Sequence, residues 1–171
     1  MTELRVRVLG IDPGSVRTGY GVLDAAGTRL TYVASGVIRT GDGEFALRLC
    51  EIFRGIQAIV AQYEPHEVAI ERVFVSRNAD SALKLGQARG AAICGAAGAS
   101  VDFFEYAPRE LKLAGVGAGR AEKAQVQLMM RNILKLRQPV AVDAADALAA
   151  AVCHALRGRV RDAIAVAAGR R

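Results

Sequence analysis

Four acidic residues stand where they could do chemistry together. Asp12 closes the apolar run VLGI and is followed at once by Pro13 and Gly14, and Glu71 closes the short run EVAIE. Asp143 and Asp146 lie three apart in AVDAADALAAA. Each has a plainer explanation when taken alone. Aspartate before Pro-Gly is a common turn former, a glutamate at a strand end is often simply solvated, and acids in the first turn of a helix favour its dipole. On a helix, however, Asp143 and Asp146 share a face with Cβ atoms roughly 5–6 Å apart, where like charges repel unless a cation lies between them. The rest of that helix is apolar nearly all round, Ala147 to Val152, so it should be buried, and its alanines let it lie close to a sheet. Four carboxylates from three separate elements suit hard divalent cations such as Mg²⁺ or Mn²⁺. Two such ions about 3.5–4 Å apart activate a water and stabilise the leaving oxygen in phosphodiester hydrolysis. Gly14 would then let backbone approach the site closely.

The elements that must position these acids follow from periodicity. Residues 4–12 alternate and are rich in β-branched types, which predicts a strand. A second strand begins at Tyr20–Leu23, turns at Asp24-Ala-Ala-Gly27, and leads into a third at 29–39. Phe45, Leu49, Ile52, Ile56 and Ile59 recur at helical spacing, predicting a helix over 44–63 that Pro65 ends. A buried strand at 67–71, a helix over 78–97 capped by Asn78, a strand at 101–106 and a short helix from Pro108 come next. Val126, Met129, Met130, Ile133 and Leu134 mark another helix, and 143–157 one more. The order describes an α/β chain: a three-layer, mixed five-stranded sheet, antiparallel in its first three strands and flanked by helices. If their strands are parallel neighbours, Asp12 and Glu71 sit together at the carboxyl end of the sheet, where open sheets place their sites.

Bulk properties narrow the class. The 171 residues suit one domain, 1–157, with a basic tail at 158–171. Only 5% are aromatic, so small aliphatic side chains fill the core. A net charge of +6 and a pI near 9.6 favour a polyanionic partner, while plain solubility explains them equally well. No apolar run is long enough to span a membrane, and the N-terminus has no signal-peptide core, which predicts a cytoplasmic protein with no membrane partner. Cys50, Cys94 and Cys153 are odd in number and sit in apolar stretches, reading as reduced, buried small hydrophobes. There is no Cys-x-x-Cys and only two histidines, so a structural metal is not expected. GVGAGR at 115–120 lacks the Lys-Ser/Thr ending of a phosphate loop, which argues against a nucleotide cofactor. Glu105 is a candidate fifth acid, and His154, eight residues beyond Asp146, reads as a satisfied core histidine.

GIDPGS (10–15), AIERVF (69–74), NADSALKLGQARG (78–90), AEKAQVQLMM (121–130) and DAADALA (143–149), in this order, closely resemble the bacterial RuvC family of Holliday-junction resolvases. The resemblance implies an RNase H-like homodimer that makes paired symmetric nicks in four-way junction DNA during recombination and repair. It implies a crossover junction endodeoxyribonuclease whose acids Asp12, Glu71, Asp143 and Asp146 are both catalytic and metal-binding, with two Mg²⁺ or Mn²⁺ ions per site. Some members carry histidine where this chain has Asp143, so an all-carboxylate site is expected here. Cooperation with the RuvA–RuvB branch-migration complex is also implied.

For DNA contact, Phe74 matches the family's base-stacking aromatic, and Lys112 and Lys123 match its lysines near the scissile phosphate. Arg77 and Lys84 are further candidates. Lys123, Gln127, Arg131 and Lys135 recur every four residues, which reads either as a solvated helix face or as a backbone-tracking surface with Arg131 in it. Gly86 and Gly90 suggest close approach of another backbone, either the sheet or the same helix of a second subunit. Two other readings stay open on the residues alone. One is an ATP-binding domain of the actin and sugar-kinase type, and the other a non-catalytic junction-binding module.

Overall fold

The computed structural model describes residues 4–73, 78–98, 100–111 and 122–167, with side chains up to residue 158. Strands β1 (Val6–Asp12), β2 (Arg17–Ala26) and β3 (Arg29–Arg39) form an antiparallel meander. Helix α1 (Phe45–Tyr63) then carries the chain to β4 (Glu67–Glu71), which pairs parallel to β1. Helix α2 (Ala79–Ala97) carries it to β5 (Asp102–Tyr106), parallel to β4. The sheet order is β3-β2-β1-β4-β5. Residues 108–111 are helical, and helices α3 (Lys123–Ile133) and α4 (Val142–Ala167) follow.

Strand alternation divides the core in two. Leu9, Ile11, Val22, Val68 and Ile70 point to one face, against Ile52, Ile56, Ile59 and Val60 of α1 and Ala88, Ala92 and Ala96 of α2. Val8, Leu23, Ala69 and Tyr106 point to the other, against the alanine-rich face of α4 and Val126 and Met130 of α3. Three glycines let α4 sit on the sheet. A Cβ at Gly10 would lie 1.9 Å from the Ala147 carbonyl oxygen, and one at Gly19 would lie 2.0 Å from that of Asp143. One at Gly21, the cross-strand partner of Gly10, would lie 2.6 Å from the Leu148 side chain. Any side chain at these places would lift the helix away.

Several sequence expectations are corrected. Strand β2 starts at Arg17 and runs through Ala26, so Asp24 is a strand residue and Gly27, with φ 50°, makes the turn. Asp24 stays in the strand because Arg7, its cross-strand partner, donates to it at 2.9 Å and Arg5 pairs with it at 2.5 Å. Helix α4 extends ten residues past 157. Only Cys153 is buried; Cys50 and Cys94 lie on outward faces of α1 and α2. Nothing within 4 Å would meet a Cβ at Gly86 or Gly90, so the sheet is not what approaches them. The Asn78 cap is as expected, its side chain accepting from the Ser81 amide at 3.2 Å.

Candidate active site

Asp12 and Glu71 end the parallel neighbours β1 and β4. Asp146 of α4 joins them on the wall of a hollow of about 290 Å³, whose other sides are Pro108, Leu111, Lys123, Val126 and Ala149. An adjoining hollow of about 250 Å³ shares Asp12, Glu71 and Pro108 and reaches Arg72, Val73 and Leu85. Asp143 enters from the first turn of α4, its carbonyl seated over Gly19, the cross-strand partner of Asp12. The glycines that admit α4 therefore also set its two acids over the end of β1.

The electrostatics of this corner are one-sided. Burial pushes the Asp12 carboxyl up to about 8, and the negative charges of Glu71, Asp146 and Asp143 push the same way; among the described residues Lys123 opposes them. A carboxylate crowded by like charge in a half-buried hollow is short of a counter-cation. The oxygen-only donor set and the excess negative charge fit a hard divalent cation. The acids line the hollow without forming a closed cage: among the described residues no three His, Cys, Asp or Glu side chains are grouped tightly enough to hold an ion as they stand.

Backbone and side-chain bonds hold the acids in place. The Arg72 amide donates to the Tyr106 carbonyl at 2.8 Å, tying the end of β4 to β5. Arg89 of α2 donates to the Glu71 carbonyl at 3.0 Å and pairs with Glu105 at 2.8 Å. Glu105 also meets Arg72 at 3.5 Å, and these arginines hold its carboxyl below the usual carboxylate range. Glu105 is thus spent on an ion-pair network and does not serve as a fifth acid. Arg89 lies inside a segment whose pattern stands out in the sequence, yet its tie to the Glu71 carbonyl depends on packing that no local pattern encodes. On α4, His154 is fully buried, with its ring nitrogens 2.6 Å from the Tyr106 hydroxyl and 2.6 Å from a Glu67 carboxylate oxygen. That bridge pins α4 to β4 and β5 and fits the satisfied core histidine expected from sequence.

The DNA-contact candidates separate. Lys123 is exposed and faces the acids. Arg131 is exposed on α3, in its last turn. Lys84 is exposed on α2 and pairs with Asp80 at 2.8 Å, one position from Leu85 at the hollow's edge. Phe74, Arg77 and Lys112 lie outside the described residues, as does the 115–120 loop. The row of Lys123, Gln127, Arg131 and Lys135 is broken: Gln127 donates to the Val140 carbonyl at 2.8 Å, and Lys135 follows the helix end with φ 52°. Gly14 also has a different purpose. A Cβ there would lie 2.2 Å from the Arg17 carbonyl, so it closes the β1–β2 turn, where the Thr18 hydroxyl donates to its carbonyl at 2.9 Å.

Comparison with known proteins adds identity to this geometry. The family model described as crossover junction endodeoxyribonuclease RuvC matches residues 8–154. The chain is 56% identical over 147 residues to the crossover junction endodeoxyribonuclease RuvC of Shewanella piezotolerans, covering 86% of this chain and 85% of that one. It is 52% identical over 158 residues to its counterpart in Vibrio cholerae, covering 92% and 91%. Among solved structures, T. thermophilus RuvC in complex with Holliday junction substrate superposes with a TM-score of 0.83 at 34% identity, covering 91% of this chain and 96% of that one.

Proposed function

The chain belongs to the RuvC family of crossover junction endodeoxyribonucleases, and from that premise we propose how its residues cut DNA. The enzyme is a metal-dependent hydrolase that resolves four-way DNA junctions, and its fold is the RNase H-like one of the family. Asp12, Glu71, Asp143 and Asp146 are the catalytic set and hold Mg²⁺ or Mn²⁺, two ions per site. The observation that carries this is the convergence of Asp12, Glu71 and Asp146 on one hollow, whose negative charge an added cation would relieve.

When bound, such ions polarise the scissile phosphodiester and lower the pKa of an attacking water. The chain supplies the rest. Asp12 and Glu71 are fixed by strand ends, and Asp143 and Asp146 by a helix seated on glycines, so the donors are set before DNA arrives. Lys123, on the far side of the hollow, offers positive charge to the phosphate oxygens as they gain charge in the transition state. Phe74 would stack on bases near the crossover, and Arg77, Lys84, Lys112 and Arg131 would contact the backbone. Residues 1–157 form the nuclease domain in this reading, with 158–171 a basic tail.

Two nicks placed symmetrically need two sites, so the working form is a homodimer, with the exposed α2 face around Gly86 and Gly90 available to a second copy. RuvA–RuvB would deliver the junction, and the compartment is the cytoplasm. Among the described residues no helix is long and apolar enough to cross a membrane.

The test is incubation of a four-way junction, a linear duplex and a single strand with the enzyme and Mg²⁺. The junction alone should be cut, at paired positions, and Asp146→Asn should bind it without cutting. Equal cutting of all three substrates would remove the resolvase reading, and full activity of the variant would remove the assigned acids.

A further inference from the structure

The face of the sheet that carries the acids carries two more charged residues, of opposite sign. Gly19 faces α4, since its Cβ would meet the Asp143 carbonyl. Arg17, two residues away on β2, therefore projects from the same face. Arg39 of β3 is its direct cross-strand partner and projects beside it. Across the active-site end of the sheet the strands thus present Arg39, Arg17, Asp12 and Glu71 in order. From strand spacing and rise, the Arg17 backbone lies about 8 Å from that of Asp12, and the Arg39 backbone about 12 Å.

Like charges directly opposite one another on paired strands are unfavourable unless something neutralises them. Both side chains are exposed, and among the described residues neither forms an ion pair. The backbone beneath them is firmly built. The Thr40 amide donates to the Val16 carbonyl at 3.1 Å, and its hydroxyl donates to the Ser15 carbonyl at 3.2 Å. The Arg48 guanidinium also donates to the Ser15 carbonyl, and to the Thr40 hydroxyl at 3.2 Å. The corner that sets the pair is therefore a locked turn.

We propose that Arg17 and Arg39 form a phosphate clamp for the strand being cut, gripping a phosphodiester that flanks the scissile one on the side away from Lys123. The proposal rests on the nuclease reading above and deepens it. Lys123 and the arginine pair bracket the acids, so a DNA backbone crossing the sheet end meets positive charge, then the acids, then positive charge. Without the clamp, the acids would repel the neighbouring phosphates as well as need their own cations. Two guanidinium forks also suit phosphate oxygens better than point charges do.

The experiment compares wild type, R17Q/R39Q and R17K/R39K on a four-way junction, with binding measured across a salt series and cutting measured under saturation. Thermal unfolding of each variant checks the fold, and the single variants R17Q and R39Q, each expected to make the salt dependence shallower, keep the test decisive if the glutamine pair unfolds. The glutamine pair should weaken junction binding about tenfold and make the salt dependence shallower by about 0.9 for each phosphate it no longer grips. Its kcat at saturating DNA should stay within about twofold of wild type, the loss appearing in KM. The lysine pair should keep the salt dependence. Unchanged affinity and salt dependence in the glutamine pair, or a fall in kcat alone, would overturn the clamp. Failure of wild type to cut the junction would instead overturn the nuclease reading.

Discussion

Two aspartates sit at opposite ends of the same pair of strands and have opposite fates. Asp24 on β2 is buried, which alone would push its carboxyl up, yet bonds from Arg7 and Arg5 hold it below the usual carboxylate range. Asp12 on β1 is half-buried among Glu71, Asp146 and Asp143, and burial and these charges push it up to about 8. The protein neutralises the first acid from within. It leaves the second in deficit, and that deficit is what divalent cations would satisfy. A carboxylate that the fold has answered is architecture, whereas one that it has surrounded with more carboxylates is a candidate site.

Substitution should split the two ends cleanly. The largest effect belongs to the crowded acids: Asp12→Asn or Asp146→Asn should lower junction cutting by about 1000-fold or more while binding persists, as gel-shift and cleavage assays on one junction would show. The same Asp12→Asn change should raise the thermal midpoint in chelator, because it removes a carboxyl whose ionised form is disfavoured by burial and by the neighbouring acids. Asp24→Asn should lower it, by about 1–3 kcal/mol of stability, because two arginines lose their partner. Equal signs for both changes would erase the distinction.

A comparable structural loss belongs to His154→Ala, which strips the Tyr106 hydroxyl and the Glu67 carboxylate of a buried partner. About 2–4 kcal/mol of stability should go, read by urea unfolding, with residual cutting in the folded fraction. Acid should reveal Asp24 as well. Its folded pKa is depressed, so its contribution is present above the ordinary aspartate range and is lost as pH falls through the lowered value. Wild type should therefore lose stability more steeply than Asp24→Asn over that acid range. The smallest effect is expected at Lys84→Ala, an exposed i,i+4 pair worth about 0.3–0.5 kcal/mol, and modest for DNA binding.

Much of this was legible in the sequence because the relevant signals are local. The 3.6-residue period over Phe45–Ile59 gives α1, β3 falls at 29–39, and the four acids stand out by type and by the apolar runs they interrupt. What could not be read depends on pairing. Asp24 looks like a turn residue until the register places Arg7 across from it. Gly10 and Gly21 look like weak strand residues until α4 is laid over them. The four-residue row of α3 looks continuous because the sequence does not announce that the helix stops at Ile133. Glu105 resembles a site acid in every local respect, and only the arginines packed around it remove it from the candidates. Arg17 and Arg39 are 22 residues apart and become neighbours only through the β2–β3 register.

The central claim is that the acids converging on Asp12 bind the cations that cut DNA. Crystals of the enzyme grown with a four-way junction and Mn²⁺ would test it through anomalous difference density. The account predicts peaks ligated by Asp12 together with Glu71 or the α4 acids, next to a phosphate. Manganese bound elsewhere, with these carboxylates left unligated beside an intact, well-ordered junction, would contradict it.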